Sequence, residues 1–533
     1  MRLSLEKSVV ADLGSADVIV VGGGAAGLCT AVQLARAGKE VILLEAGPPK
    51  PDNESQSFFR SATASGHPLP GLHIGRFRCL GGTTNFWGGQ LVPFSEAVFS
   101  HREWIRSGQW PIPFSEVSAY YKRVYDLLGL NGVIQDDAVV WSKLGISPPP
   151  QSHYIKPLFT RWTRESNLAV FFDQFIRLAP NLQVVVDAQV AALMVNEIGN
   201  VTGVEIRRRG GRPVYVHAPH VVLANGTIEI ARLLQLPASG GRPTPWSDNP
   251  WLGKGFIDHL DCFAGIVQPM DQQRFSDFFD NAFLNGCKYA PKLRLSDAAQ
   301  VEEKMLDIAA HFVFKSSASE HLDNLKILTK ALLAKRWDKV SLTGIASSLG
   351  AIRFLAPMAV RYLRYRRMTN FADRGILLRL TSEQSPNSES CIKIRSEHDS
   401  FGMNLVDVNW RIDPSDIVSI SKFAIYIKEY LEEAQIAKVT LNRELTRGSP
   451  DFVNQIDDAN HHMGGARMGK SSSDGVVDSN CKVFGTNGLY VAGAAIFPVS
   501  GFANPTLTAM ALSLRLADHL YEVIDGSDVA RPA

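Results

Sequence analysis

The sequence predicts an α/β fold in two parts: a doubly wound parallel layer, and a second α+β part built on an antiparallel sheet. Three observations carry this. Residues 18–21 form a continuous apolar, β-branched run, as strands buried on both faces do, and lead into a glycine-rich turn and helix-like sequence. Residues 181–195, 201–207 and 213–222 read as strands separated by Gly199-Asn200 and Gly210-Gly211 turns, a hairpin excursion that returns to the first layer at Val221. Residues 376–380, 390–395 and 404–410 read as strands of the second, antiparallel sheet, and 417–431 has helical spacing. A chain of 533 residues is long enough for about two to four domains.

Composition excludes several function classes. The 55 Lys and Arg residues are matched by 53 Asp and Glu, a formal net charge of +2, so no dedicated nucleic-acid surface is expected. The six cysteines stand singly with no C-x-x-C pair, which argues against a disulfide scaffold and a structural zinc, and no metal is expected. No run of about 18 uncharged apolar residues occurs, and the first apolar run lacks the basic start and cleavage site of a secretory leader. The expectation is a cytoplasmic protein without a spanning helix. Residues 321–368 are basic and helix-like. They read as surface helices with a solvated face or, more sharply, as an amphipathic element in peripheral contact with anionic lipid.

The first strand runs into Gly22-Gly23-Gly24-Ala25-Ala26-Gly27, a G-x-G-x-x-G match followed by a helix over 28–37 and a strand over 39–44 that ends at Glu45. Gly22 permits the tight turn, Gly24 lets backbone approach a pyrophosphate, and Gly27 lets helix and strand pack closely. The helix N-terminus offers free N–H groups and a positive dipole end. Glu45 is placed to accept from a ribose diol, which favours FAD or NAD over NADP.

A second cluster, Leu80-Gly81-Gly82-Thr83-Thr84-Asn85-Phe86-Trp87-Gly88-Gly89, cannot be a regular helix or strand. Near the C-terminus stand His461-His462-Met463-Gly464-Gly465-Ala466-Arg467-Met468-Gly469, then Gly493-Ala494, and then Asn504-Pro505-Thr506 opening an apolar helical stretch. Taken in order, these blocks closely resemble the glucose–methanol–choline (GMC) family of FAD-dependent oxidoreductases. The match extends to Val190 and to residues 221–226, whereas residues 265–380 match nothing that anchors them.

The resemblance implies a discontinuous Rossmann-like FAD-binding domain with a second, α+β substrate domain. The division it suggests is 1–135, 176–260 and 456–533 for the FAD-binding domain, 136–175 for an excursion, and 261–455 for the substrate domain, with the basic insert at 321–368. It implies that Gly22, Gly24, Gly27 and Glu45 hold the ADP half of FAD, with Val190 as a backbone clamp on adenine, and that Ala26 and Gly226 also belong to the cofactor-binding set. Gly82 and Thr83 would lie along the flavin, Gly493 and Ala494 at the ribityl and pyrophosphate region, and Thr506 at the start of a helix aimed at the flavin. In one branch a loop histidine is joined covalently to FAD; the aligned position here is Phe86, so FAD is expected to be non-covalent. His461 occupies the position of the family's base, and Asn504 that of its partner. Histidine titrates near neutrality, which suits removal of a hydroxyl proton, and a carboxamide can orient the substrate oxygen. His462 and the pair Asp258-His259 are expected to pack or hydrogen-bond structurally.

The resulting expectation is an FAD-dependent dehydrogenase or oxidase acting on a CH–OH group, with a sugar, polyol or sugar derivative as substrate and oxygen, a quinone or a redox protein as electron acceptor. Alternatives are oxidation of a non-sugar primary alcohol and a catalytically idle flavoprotein at a membrane surface. An NAD-dependent dehydrogenase leaves the C-terminal block unexplained.

Overall fold

A computed structural model describes residues 2–4, 15–105, 107–208, 211–317 and 352–526. Its first layer is a six-stranded sheet, parallel throughout. The strand order is Arg2–Ser4, Leu182–Val186, Val41–Leu44, Val18–Val21, His220–Leu223, Leu489–Val491. The last five are apolar runs buried almost end to end, as strands with helices on both faces must be. Helices Ala25–Arg36 and Thr506–Ile524 pack against each other beside the sheet. The sheet thus draws on strands from widely separated stretches of the chain.

The second layer is a nine-stranded sheet. Its path runs Ala437–Leu441, Leu260–Pro269, Ile376–Ser382, Ile308–Phe314, Cys287–Leu295, Ile155–Trp162, Gln90–Leu91, with every pairing antiparallel. Helix Pro414–Glu433 packs on it, closed at its start by a capping box between Asp413 and Asp416. Each sheet can bury only one or both faces against another element, and the two layers meet across a deep crevice.

Three strand readings change. The run 181–195 is not one strand. Asp187 takes φ +58 and breaks it, so Leu182–Val186 joins the parallel sheet and Gln189–Val195 a separate three-stranded antiparallel sheet. Likewise 213–222 divides into Val214–His217 and His220–Leu223 around Pro219, which has no N–H to give a ladder. Strands Cys391–His398 and Asn404–Asn409 pair with each other, and Asn404–Asn409 with Thr63–Ala64, in a small sheet of their own rather than in the substrate sheet; there Asp407 accepts from Thr63 and Ser65. Gln90–Leu91, within the first expected stretch of the FAD-binding domain, is the edge of the antiparallel sheet. With that strand reassigned, we propose the five-part division above as the domain organisation.

Among the described residues no helix is long and apolar enough to cross a membrane. Most of 321–368 lies outside the described residues. Its end, helix Ile352–Tyr365, exposes Val360, Leu363 and Tyr365. All six cysteines are buried and unbridged.

Candidate active site

A cavity of about 770 Å³ lies between the carboxyl ends of the parallel strands and one face of the antiparallel sheet. Open α/β sheets bind ligands at this edge. The glycine fingerprint forms its floor. Gly22 has φ +103, and a Cβ there would stand 2.5 Å from Asn225 Cα. A Cβ on Gly27 would lie 1.9 Å from the Gly22 carbonyl oxygen, so the turn and the helix touch as the motif predicts. Gly24, the N-cap of helix Ala25–Arg36, would point a Cβ into open cavity. That helix has no side-chain cap and no acidic residue in its first turn, which leaves its N–H groups to an anion.

Glu45 accepts from the Gly23 and Gly47 N–H groups at 2.8 Å each. Burial raises its carboxyl to about 7, while these two amides and Arg78 pull the other way. It thus braces the glycine turn as well as facing the cavity, and each oxygen keeps a lone pair for a diol. Gly22, Gly24, Ala26, Gly82, Thr83 and Val190 also line the cavity, as do Gly226, Gly493, Ala494 and Thr506. Gly27 does not; its part is packing behind the turn. In the second loop Gly82 packs on Gly24, where a Cβ would come within 2.9 Å of the Gly24 Cα.

At the other end the structure brings His461 and Asn504 together, with Asn504 Nδ2 3.0 Å from His461 Nε2. Asn504 is held by the turn into helix Thr506–Ile524, which Pro505 opens; this helix too lacks an acidic first turn and a side-chain cap. The His461 backbone N–H donates to both oxygens of buried Asp258, at 3.0 Å each, fixing where the ring starts. Burial, with Lys292 adding to it, lowers the imidazole to about 3, so the ring stays neutral. His462 also reaches the cavity wall, and its carbonyl accepts from Thr227 at 2.7 Å.

The sequence reading of Asp258-His259 is half complete. Asp258 is structural, taking backbone N–H groups from His259, Ala459 and His461. His259 does more: its Nδ1 lies 2.9 Å from His461 Nδ1. No local spacing links positions 202 residues apart, and only the strand beginning at Leu260 brings His259 here. Lys292, Arg379 and His311, also missed, line the same cavity from the antiparallel sheet.

The residues fit FAD. The volume suits a cofactor, two uncapped helix N-termini face in, and the Asn225 side-chain oxygen is buried at the cavity wall without a partner. Comparison with known proteins agrees. The family model described as GMC oxidoreductase matches residues 386–513, and that described as FAD dependent oxidoreductase matches residues 17–134. The C-terminal part of the chain thus belongs to the GMC oxidoreductases, and its N-terminal part to the FAD dependent oxidoreductases. Relatives of this GMC oxidoreductase include 5-(hydroxymethyl)furfural oxidase of Methylovorus sp., 24% identical over 68% of this chain and 62% of that protein, thus less than two thirds of the relative's length. Fructose dehydrogenase large subunit of Gluconobacter japonicus is 21% identical over 95% of this chain and 97% of that one. Among solved structures, an arginine variant of formate oxidase from Aspergillus oryzae superposes with a TM-score of 0.58 at 17% identity, covering 98% of this chain and all of that one, a likeness of fold.

The cofactor of this GMC oxidoreductase is FAD. The loop position of interest, Phe86, is half-exposed and stacked on Phe77 at 5.7 Å, and a phenyl ring has no nucleophilic atom to bond the cofactor. Acid unfolding should therefore leave the yellow chromophore in the supernatant; a yellow pellet overturns this.

Proposed function

We propose that this GMC oxidoreductase oxidises a CH–OH group of a sugar, polyol or sugar derivative. FAD, held by the fingerprint, Glu45 and the Gly82 loop, would supply the two-electron acceptor for the hydride. His461 takes the hydroxyl proton and Asn504 orients the oxygen that loses it. The reading rests on one observation: His461 Nε2 and the Asn504 amide meet at the wall of the cavity that the glycine fingerprint floors.

The hydrogen-bond chain favours the state the chemistry needs. With Asn504 Nδ2 donating to His461 Nε2, the ring proton of His461 sits on Nδ1 and is given to His259 Nδ1. His259 then carries its own proton on Nε2, toward the Gly501 backbone. Burial, with His461 and Lys292 adding to it, holds His259 well below the ordinary histidine range, so it too is neutral. The Asn504 N–H occupies that single Nε2 lone pair, so a substrate hydroxyl entering at this edge takes the amide's place on Nε2 while the amide turns to the substrate oxygen.

The test is an anaerobic screen in which sugars, polyols and simple alcohols are offered to the holoenzyme and bleaching of the flavin is followed. Bleaching by a sugar or polyol is the expected result. No bleaching by any alcohol would leave an idle flavoprotein and end the proposal.

A further inference from the structure

One wall of the cavity is far more basic than oxidation of a neutral alcohol requires. Lys288 and Lys292 lie two pleats apart on strand Cys287–Leu295, with side chains on one face, and both line the cavity. The ladder Arg294–Ala309, Leu293–Ala310 continues to set Lys292 opposite His311, and His311 pairs with Arg379 on the next strand. The register thus makes a row of Lys292, His311 and Arg379 across three adjacent strands, all facing the cavity.

The carboxylate beside this row, on the neighbouring strand two residues from the position opposite Arg379, is already committed. Asp261 is bound by Arg379 through Nε at 2.7 Å and through Nη2. Lys288 lies over the Trp162 ring, 3.5 Å from its centroid. Lys292 has neither a hydrogen bond nor an ion pair among the described residues, only the Phe502 ring 5.8 Å away and the more distant pull of Asp261, although it is only 8% exposed. An ammonium buried without a directly paired counter-charge is costly, and folded proteins retain one where something else supplies the partner. Burial, the larger effect, lowers its pKa to about 8 against the pull of Asp261, so at neutral pH it is still charged. Its field reaches His461, His259 and His311, so whatever partners it sits beside the reacting end of the cavity.

We propose that the substrate is an anionic alcohol: Lys292, flanked by Lys288 and Arg379, receives a carboxylate or phosphate group on the same molecule whose CH–OH group meets His461 and Asn504. A sugar acid and a phosphorylated polyol share this chemistry. The inference deepens the proposed function and rests on it for the reacting end, whereas the anion site stands on its own.

The experiment therefore begins with anion binding alone. The oxidised holoenzyme is titrated calorimetrically with inorganic phosphate and with acetate. Binding of either is expected, weakened at least about tenfold in Lys292→Met, since a hydrogen bond to a charged group is lost, and kept within about threefold in Lys292→Arg, which retains the charge. Bound flavin and an unchanged melting temperature establish that the variants fold. In the second arm glucose, glucuronate and glucose 6-phosphate are compared on the wild-type holoenzyme by anaerobic flavin reduction. One of the two anions is expected to exceed glucose at least about tenfold in second-order rate constant, and which one does so separates carboxylate from phosphate. Absence of anion binding to the wild type, equal binding in Lys292→Met, or a preference for neutral glucose overturns the proposal. Lys292-dependent anion binding with no alcohol reducing the flavin upholds the anion site and sinks the oxidation reading instead.

Discussion

Replacing His461 by alanine is expected to leave FAD bound and to slow flavin reduction by at least about 10²-fold, roughly 2.7 kcal/mol of barrier. The flavin should stay because the fingerprint, Glu45 and Val190 line the far part of the cavity, and because the backbone N–H of residue 461 still donates to Asp258 after the ring is gone. The rate should fall because the lone pair that meets the Asn504 amide is gone, and His462, the other imidazole at the cavity wall, makes no contact with Asn504 that would put it in that place. Asn504 offers an amide N–H, His259 sits behind His461, and Lys292 is an ammonium near neutrality. The pH dependence carries a second check. The His461 pKa is lowered, to about 3, so the imidazole is a base at every pH above that and gains nothing as pH rises through 6.5. The charged and titratable groups beside it are His259 and His462, both held neutral, Lys292, which loses its proton only near 8, and Asp258, whose carboxyl burial and Asp458 raise well above the ordinary carboxylate range. His461 and His259 should therefore give the wild-type rate of flavin reduction no acid limb near 6.5, the ordinary histidine value. Stopped-flow reduction under anaerobic conditions reads both quantities. Full-speed reduction in His461→Ala removes His461 from the chemistry, and an acid limb near 6.5 removes the argument from burial.

What the sequence made legible was local. The fingerprint, the Gly82 loop and the Asn504-Pro505-Thr506 helix start are each set by a few consecutive residues whose backbone needs name the residue types, and the structure gathers all three at one cavity. What it hid was long-range. His259, Lys292, His311 and Arg379 reach the site through strand pairing in a nine-stranded sheet, and alternation within a strand says which residues share a face but not which strand lies alongside. The same limit explains why the sequence pattern assigns Cys391–His398 and Asn404–Asn409 to the antiparallel substrate sheet: they pair with each other, and the outer partner of Asn404–Asn409, Thr63–Ala64, is a two-residue strand more than 300 positions away. The break at Asp187 was hidden differently. Alternating apolar residues run straight through 181–195, and the positive φ that turns the chain from one sheet into another falls on an aspartate, a residue that tolerates it without announcing it.

The glycine fingerprint allows two substitutions to be set against each other. Gly27→Ala places a methyl carbon 1.9 Å from the Gly22 carbonyl oxygen, a backbone atom with nowhere to go, since Gly22 is itself wedged against Ala224 and Asn225. The helix must lift from the turn, at about 3 kcal/mol or more by the measure of overpacked cores. That is a large share of the roughly 5–15 kcal/mol that stabilises a folded protein, so the variant should lose FAD and melt earlier with or without added cofactor. Gly24→Ala should behave otherwise. Its φ of −79 suits any residue, and a Cβ there meets nothing within 4 Å. The protein without cofactor should therefore melt within about 0.5 kcal/mol of the parent, as surface substitutions do. The new methyl stands in the cavity at the mouth of an uncapped helix, where a pyrophosphate needs bare backbone, and FAD affinity should fall at least about tenfold. Melting curves of the stripped protein and flavin fluorescence titrations separate the two. If both variants melt alike and bind FAD alike, the glycines are not sorted into packing and cofactor roles, and the cavity is not where the pyrophosphate rests.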